Sequence, residues 1–299
     1  MDAALFQEPR RRMIPLRDGE MAALDFGDAA RPVDVVFSHA NGFNAMTYRS
    51  ILGPLSMGLR ILAVDLRGHG SSTLPADATK VRRSWDDTRD DLVQLLDVLD
   101  QKPAVLAGHS LGGAVSILAA DIRPQRVKSL VLFDPVILSP WRSFQAWLPW
   151  NAGRRWREIP IAKGAAKRRP VFDSAEAAFA AYKGRGAFKT WPETVLADYV
   201  AGGFTPTEEG KVTLACAPAW EASNFAAQAN DIWGALRRLK APLSLYQAET
   251  GSACEIGEGG SDLLRRKPDA KVIVVPGTSH FLPMERPDVV RDALLDAAD

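Results

Sequence analysis

The chain has 299 residues, 46% of them hydrophobic and 24% charged, with a formal net charge of +1. That length permits one or two domains with a large core, and the near-neutral balance removes any global electrostatic case for a nucleic acid or membrane partner. Residues 1–12 hold no apolar signal-peptide core, and no apolar run is long enough to span a bilayer, so stable membrane insertion is not expected.

Residues 11–17 and 20–26 flank Asp18-Gly19, a hairpin signal. Residues 33–37 read as a strand that ends in Ser38-His39-Ala40-Asn41-Gly42-Phe43, with a helix near 47–55. Residues 60–64 form another buried strand, ending in Asp65-Leu66-Arg67-Gly68-His69-Gly70-Ser71. Over 85–99, Leu92, Leu95, Leu96 and Leu99 recur at helical spacing. An apolar strand from Ala104 runs into Gly108-His109-Ser110-Leu111-Gly112, and a helix follows over 111–120. Residues 127–133 are a further strand, ending in Asp134-Pro135.

From 136 to 236 strand signals become scarce, and the segment reads as several helices rich in Trp, Ala and basic residues. The alternation then returns, with strands over 243–246 and 271–275 and helices over 261–267 and 287–298. Strands alternating with helices imply an α/β fold, a mostly parallel sheet covered on both faces. The middle segment is best read as an insertion above the carboxyl ends of the strands, where ligands of open α/β sheets bind. The expected division is residues 1–136 and 237–299 for the core and 137–236 for a helical cap.

The Gly-x-Ser-x-Gly at 108–112 has the strand–turn–helix context of a nucleophile elbow. A serine on so tight a turn projects its hydroxyl above the sheet, and glycine two residues to either side lets strand and helix pass closely. Free N–H groups of the helix start then point at the reacting centre. An activated serine needs a base and oxyanion donors. Of four histidines, His39, His69 and His109 lie in or beside loops that follow strands, and His280 lies in Pro276-Gly277-Thr278-Ser279-His280-Phe281 after the last strand. His39 and His69 are expected to brace loop backbone. His109 is expected to point away from Ser110 and shape the pocket wall or its surroundings, and Asp65 to brace its loop.

Together these motifs resemble the α/β-hydrolase superfamily over nearly the whole chain. His39-Ala40-Asn41-Gly42 is similar to its oxyanion loop, and Asp65 to Ser71 to its fourth-strand turn. Gly277-x-x-His280-Phe281-x-Pro283-x-Glu285-x-Pro287 is similar to its catalytic-histidine loop. The resemblance implies Ser110 as nucleophile, His280 as general base and then acid, and the N–H groups of Asn41 and Leu111 as the oxyanion hole. It places the third member after the strand that follows the cap, often as Gly-Glu-x-Ser-Asp. Here that stretch reads Ala248-Glu249-Thr250-Gly251-Ser252, with serine where aspartate is expected. Asp134, Glu249 and Glu255 remain as candidates. Asp134, at the end of the preceding strand as in the haloalkane dehalogenase branch, is favoured.

A serine rather than an aspartate nucleophile argues against dehalogenase or epoxide hydrolase chemistry. The expectation is a serine hydrolase of carboxylic esters of apolar acids, esterase- or lipase-like, acting through an acyl-enzyme on Ser110. The rivals are a C–C bond hydrolase of vinylogous diketones and a non-catalytic hydrolase-fold binding protein. No metal cluster or dinucleotide fingerprint appears, so no cofactor is expected and the partner is a small apolar ester. Cys216 and Cys254, with no secretion signal, suggest a reducing, cytoplasmic setting and no disulfide. In the cap, Trp141, Phe144, Trp147, Trp150 and Trp156 are expected mainly to pack onto the core. Arg154, Arg155, Arg157, Lys163, Lys167, Arg168 and Arg169 are expected to form a solvated face, the alternative being a site for an anionic lipid or substrate.

Overall fold

The structure is a computed structural model, and it describes residues 6–148 and 159–299. Trp150, Arg154, Arg155, Trp156 and Arg157 lie outside the described residues. Among the described residues, eight strands form one sheet in the order β1-β2-β4-β3-β5-β6-β10-β11. These are β1 (Arg10–Leu16), β2 (Gly19–Phe26), β3 (Val35–Ser38), β4 (Ile61–Val64), β5 (Ala104–His109), β6 (Val127–Phe133), β10 (Leu243–Ala248) and β11 (Lys271–Val275). The β1–β2 hairpin and the β2–β4 pair are antiparallel, and β4, β3, β5, β6, β10 and β11 pair in parallel.

The central strands read as continuous apolar runs because both faces are covered. With a side-chain period of two, Val36, Leu106, Leu130 and Leu132 face one layer, and Val35, Phe37, Val105, Val131 and Phe133 face the other. The first layer holds helices α1 (Asp86–Leu99) and α2 (Leu111–Ile122), through Leu92, Leu95, Leu96, Val115 and Ile117. The second holds Tyr48, Ile51 and Leu52 and, from the last long helix, Val290 and Leu294.

Between β6 and β10 the chain forms α3 (Pro140–Trp147), α4 (Pro160–Ala166), α5 (Ala175–Tyr182), α6 (Glu193–Gly203), α7 (Pro218–Ala226) and α8 (Ile232–Arg238). The closing helix is α9 (Pro287–Ala298). This segment also carries a small antiparallel sheet, β7 (Val171–Phe172), β8 (Phe204–Pro206) and β9 (Val212–Leu214), in the order β7-β9-β8. Strands of two or three residues are too short to display alternation, so the sequence pattern shows only helices there. The helix expected near 47–55 is instead a run of short 3-10 and one-turn α segments over 45–57, broken at Gly53-Pro54. Likewise the helix expected over 261–267 shortens to one turn, Ser261–Leu264.

Candidate active site

β5 ends at His109 and α2 begins at Leu111, leaving Ser110 at φ 56° on the turn between them. A Cβ on Gly108 would come within 2.6 Å of the Gly112 carbonyl carbon, and one on Gly112 within 2.2 Å of the Ser38 carbonyl oxygen. Only glycine permits that approach. The backbone of Ser110 is pinned: its N–H donates to Phe133 O at 3.1 Å, and its carbonyl accepts from Val136 N at 3.1 Å. Its hydroxyl makes no helix-capping bond and instead lies 3.0 Å from His280 Nε2.

His280 Nδ1 is 2.6 Å from Asp134 Oδ2. Asp134 is fully buried at the end of β6, with φ 44°. Its carboxylate also accepts from Ala248 N (2.9 Å), Ala253 N (3.0 Å) and Ser252 Oγ (2.6 Å). Burial alone would push this carboxyl up, but the bonds from His280, Ser252 and Ala248 outweigh it and hold the pKa below the ordinary value. The other two candidate carboxylates are engaged elsewhere. Glu249 Oε2 accepts from Gly277 N at 3.0 Å and braces the histidine loop. Glu255 Oε2 accepts from Ser139 N at 2.9 Å and Oε1 pairs with Arg142, at the start of α3. Thus Ser110, His280 and Asp134 come together, and Glu249 and Glu255 stay apart from the imidazole.

The loop after β3 is held by two buried, neutral histidines whose tautomers follow from their partners. His39 Nδ1 donates to Ala40 O at 2.7 Å and its Nε2 accepts from Leu66 N at 2.9 Å. His69 Nδ1 donates to Arg67 O at 2.9 Å and its Nε2 accepts from Gly42 N at 3.0 Å. Burial pushes His39 down to about 4, and His69 well below its ordinary value. Asp65 braces the same region by accepting from Ala45 N at 2.7 Å and Ser71 N at 3.0 Å. With Gly42 N committed to His69, the backbone N–H of Asn41 has no protein acceptor among the described residues. The N–H of Leu111, in the first turn of α2, has no intrahelical partner. Asn41 and Leu111 line one cavity with Ser110 and His280.

Two residues that position Asn41 carried no sequence signal. Its side chain donates to Glu221 O and accepts from Asn224 Nδ2, both at 2.9 Å, across about 180 residues of chain. Both partners sit on α7, whose place over the loop after β3 is a purely tertiary fact.

A model of the alpha/beta hydrolase family matches residues 35–293. The chain belongs to that family. It is 26% identical over 272 residues to a 2-(acetamidomethylene)succinate hydrolase of Mesorhizobium japonicum, covering 89% of this chain and 87% of that protein. Over 138 residues it is 36% identical to an sn-1-specific diacylglycerol lipase of Mus musculus, covering 45% of this chain and 42% of that one. The solved structure of E-2-(acetamidomethylene)succinate hydrolase superposes with a TM-score of 0.77 at 23% identity, over 96% of this chain and 98% of that one, a likeness of fold.

In this α/β hydrolase the cavity beside Ser110 measures about 460 Å³. Its walls are mostly apolar, with Trp85 and Leu111 from the core and Leu138, Ile161 and Phe225 from the segment between β6 and β10. Arg142 and Glu255 add one ion pair to the lining. His109 does not line this cavity; it is fully buried beneath it, in the surroundings of the pocket rather than in its wall. Trp141, Phe144 and Trp147 do not pack onto the core either, being 66%, 57% and 52% exposed along α3. Arg168 departs from the solvated-face reading as well. It is half-buried and donates to Glu221 Oε2 at 2.5 Å and Tyr199 Oη at 2.7 Å, whereas Lys163, Lys167 and Arg169 are exposed. Among the described residues no helix is long and apolar enough to cross a membrane.

Proposed function

We propose that this hydrolase cleaves carboxylic esters of apolar acids through an acyl-enzyme on Ser110. The observation that carries the reading is the chain of contacts Ser110 Oγ–His280 Nε2 (3.0 Å) and His280 Nδ1–Asp134 Oδ2 (2.6 Å) opening into a mostly apolar cavity. Ser110 Oγ attacks the ester carbonyl carbon while its proton passes to His280 Nε2. The carbonyl oxygen becomes an oxyanion that takes the N–H groups of Asn41 and Leu111. Collapse breaks the ester C–O bond, and the leaving alcohol takes the proton from His280. Water, deprotonated by the same imidazole, then attacks the acyl carbon and releases the acid and Ser110. Asp134 stays ionised throughout, holds the Nδ1–H tautomer and stabilises the imidazolium. The residues of 137–236 that enter the lining act as a cap over the acyl group.

The partial similarity to a lipase supports an ester substrate. A second reading, a C–C bond hydrolase of vinylogous diketones, uses the same nucleophile and base. It gains weight from the full-length relative, whose named substrate is a functionalised succinate rather than a lipid. The test is a panel of p-nitrophenyl esters of graded acyl length beside a ring-cleavage diketone, run with wild type and Ser110→Ala. The ester reading expects the higher kcat/KM on esters, abolished in Ser110→Ala. A higher kcat/KM on the diketone selects the second reading, and failure of a fluorophosphonate to label Ser110 rejects both.

A further inference from the structure

His109 precedes the nucleophile, yet its ring turns away from the cavity into a fully buried site between two loops. Tyr48 Oη lies 3.2 Å from Ala40 N and accepts from it. The single hydroxyl proton of Tyr48 therefore goes to His109 Nδ1, at 2.8 Å. That makes Nδ1 an acceptor and leaves the ring proton on Nε2, which donates to the backbone carbonyl of His280 at 2.7 Å. The two ends of this chain are a backbone N–H and a backbone carbonyl, so its direction is dictated by atoms that cannot reverse roles. Burial pushes the His109 imidazole down to about 3, with the nearby His280 ring acting the same way, so the neutral form is the one present. The chain begins beside Asn41 in the oxyanion loop, passes beneath Ser110 and ends on the residue that faces the serine.

We propose that His109 is a positioning residue: its Nε2–H holds the main chain of His280 at the spacing that places the His280 ring 3.0 Å from Ser110 Oγ, and through Tyr48 ties that spacing to the oxyanion loop. The proposal rests on the reading of His280 as the base for Ser110. It acts on orientation rather than on binding, because His109 touches neither the cavity nor Ser110 Oγ. A shift of the base by a fraction of an ångström to 1 Å is enough to cost up to about 100-fold in rate.

Two substitutions separate the bond from the bulk. In His109→Asn the side-chain oxygen sits where Nδ1 was and still accepts from Tyr48, but nothing reaches the His280 carbonyl. In His109→Gln the longer amide reaches the Nε2 position and restores a donor. The expected result is a fall in kcat of about 10- to 100-fold for His109→Asn with KM within about twofold, and recovery of most of that loss in His109→Gln. A kcat for His109→Asn within threefold of wild type overturns the proposal. So does an equal loss in both variants, which would assign the effect to ring volume. Should His109→Asn fail to fold, nitrogen-15 NMR of histidine-labelled wild type at neutral pH reads the same point. A protonated Nε2 and bare Nδ1 at His109 are expected, and the opposite tautomer overturns the chain. Ser110→Ala, assayed in parallel, keeps the two readings apart. Activity retained in Ser110→Ala sinks both the proposed function and this inference, whereas an inactive Ser110→Ala beside a fully active His109→Asn sinks this inference alone.

Discussion

Ser252 Oγ lies 2.6 Å from Asp134 Oδ1 and donates to it, because the hydroxyl oxygen is already the acceptor for Cys254 N at 3.0 Å. The residue standing where the family resemblance puts a carboxylate thus supplies a proton donor to a carboxylate one strand away. Ser252→Ala removes one of four donors to a fully buried anion. Losing one bond to a charged group costs about 1.5–3 kcal/mol. The expected outcome is a melting temperature lowered by several degrees and kcat reduced less than tenfold. Thermal melting and steady-state kinetics of the purified variant check it, and an unchanged melting temperature would show the bond to be worthless.

The assignment of the acid is tested by two near-isosteric substitutions. Asp134→Asn should disturb the His280 tautomer and lower kcat by about 1,000-fold or more. Glu249→Gln should cost little, since that carboxylate braces Gly277 N rather than the imidazole. Stoichiometric labelling of Ser110 and thermal melting confirm that each protein is folded. A crippled Glu249→Gln beside an active Asp134→Asn would move the acid to the later strand.

The glycines of the elbow can be separated from glycine in general. In Gly112→Ala the new methyl would meet the Ser38 carbonyl oxygen at 2.2 Å, a backbone atom with no room to retreat. Destabilisation on the order of 3 kcal/mol is expected, together with loss of activity. Gly164 sits inside α4 with nothing within 4 Å of its would-be Cβ. Gly164→Ala should stabilise by up to about 1 kcal/mol. Denaturant midpoints of the two variants measure the contrast, and equal midpoints would refute the steric account of the turn.

Acid should unfold the protein well above the ordinary carboxylate range. Burial depresses His39 to about 4 and His109 to about 3, and His69 moves the same way. Each ring stays neutral in the fold but protonates in the unfolded chain below about pH 6.5. The unfolded state therefore binds more protons, and stability falls as pH drops from about 6.5 towards these depressed values. For His39 the loss is on the order of 3 kcal/mol by pH 4. Four buried carboxyls oppose this: burial pushes Asp91 up to about 6 despite its pairing with Arg67, and raises Asp65, Asp198 and Glu221 as well, so acid favours the fold at those sites. The three rings lose stability over this whole interval, so the melting temperature should fall between about pH 6 and pH 4. A melting temperature flat across that interval would contradict the neutral, buried state of the histidines.

What could be seen in the sequence was whatever local chemistry dictates. Val105, Leu106 and Ala107 announce a strand buried on both faces, and Gly108 and Gly112 announce a close crossing, because each signal lies within a few residues of its structural cause. The same holds for His280, set in a loop after the last strand. Contacts across long stretches of chain left no trace. Nothing near Asn41 says that Asn224 will hold it, and nothing near His109 names Tyr48. Trp141 and Trp147 misled for a related reason, since apolar character favours burial but does not specify a partner surface. Arg168 misled in reverse: a run of basic residues looks solvated until Glu221 is brought alongside.

The strand order places β6 beside β10, and β11 outermost. In chain order, synthesis delivers Asn41, Ser110 and Asp134 well before the loop that follows β11. A ribosome emitting ~5–20 residues per second leaves roughly 10–30 seconds between Ser110 and His280. During that time Ser110 lacks the imidazole that lies 3.0 Å from its hydroxyl in the finished fold, and β6 lacks its neighbour β10. If His280 is the base, as proposed, turnover is deferred until the final strand docks, and a chain severed before that strand would be inert however well its earlier part folds.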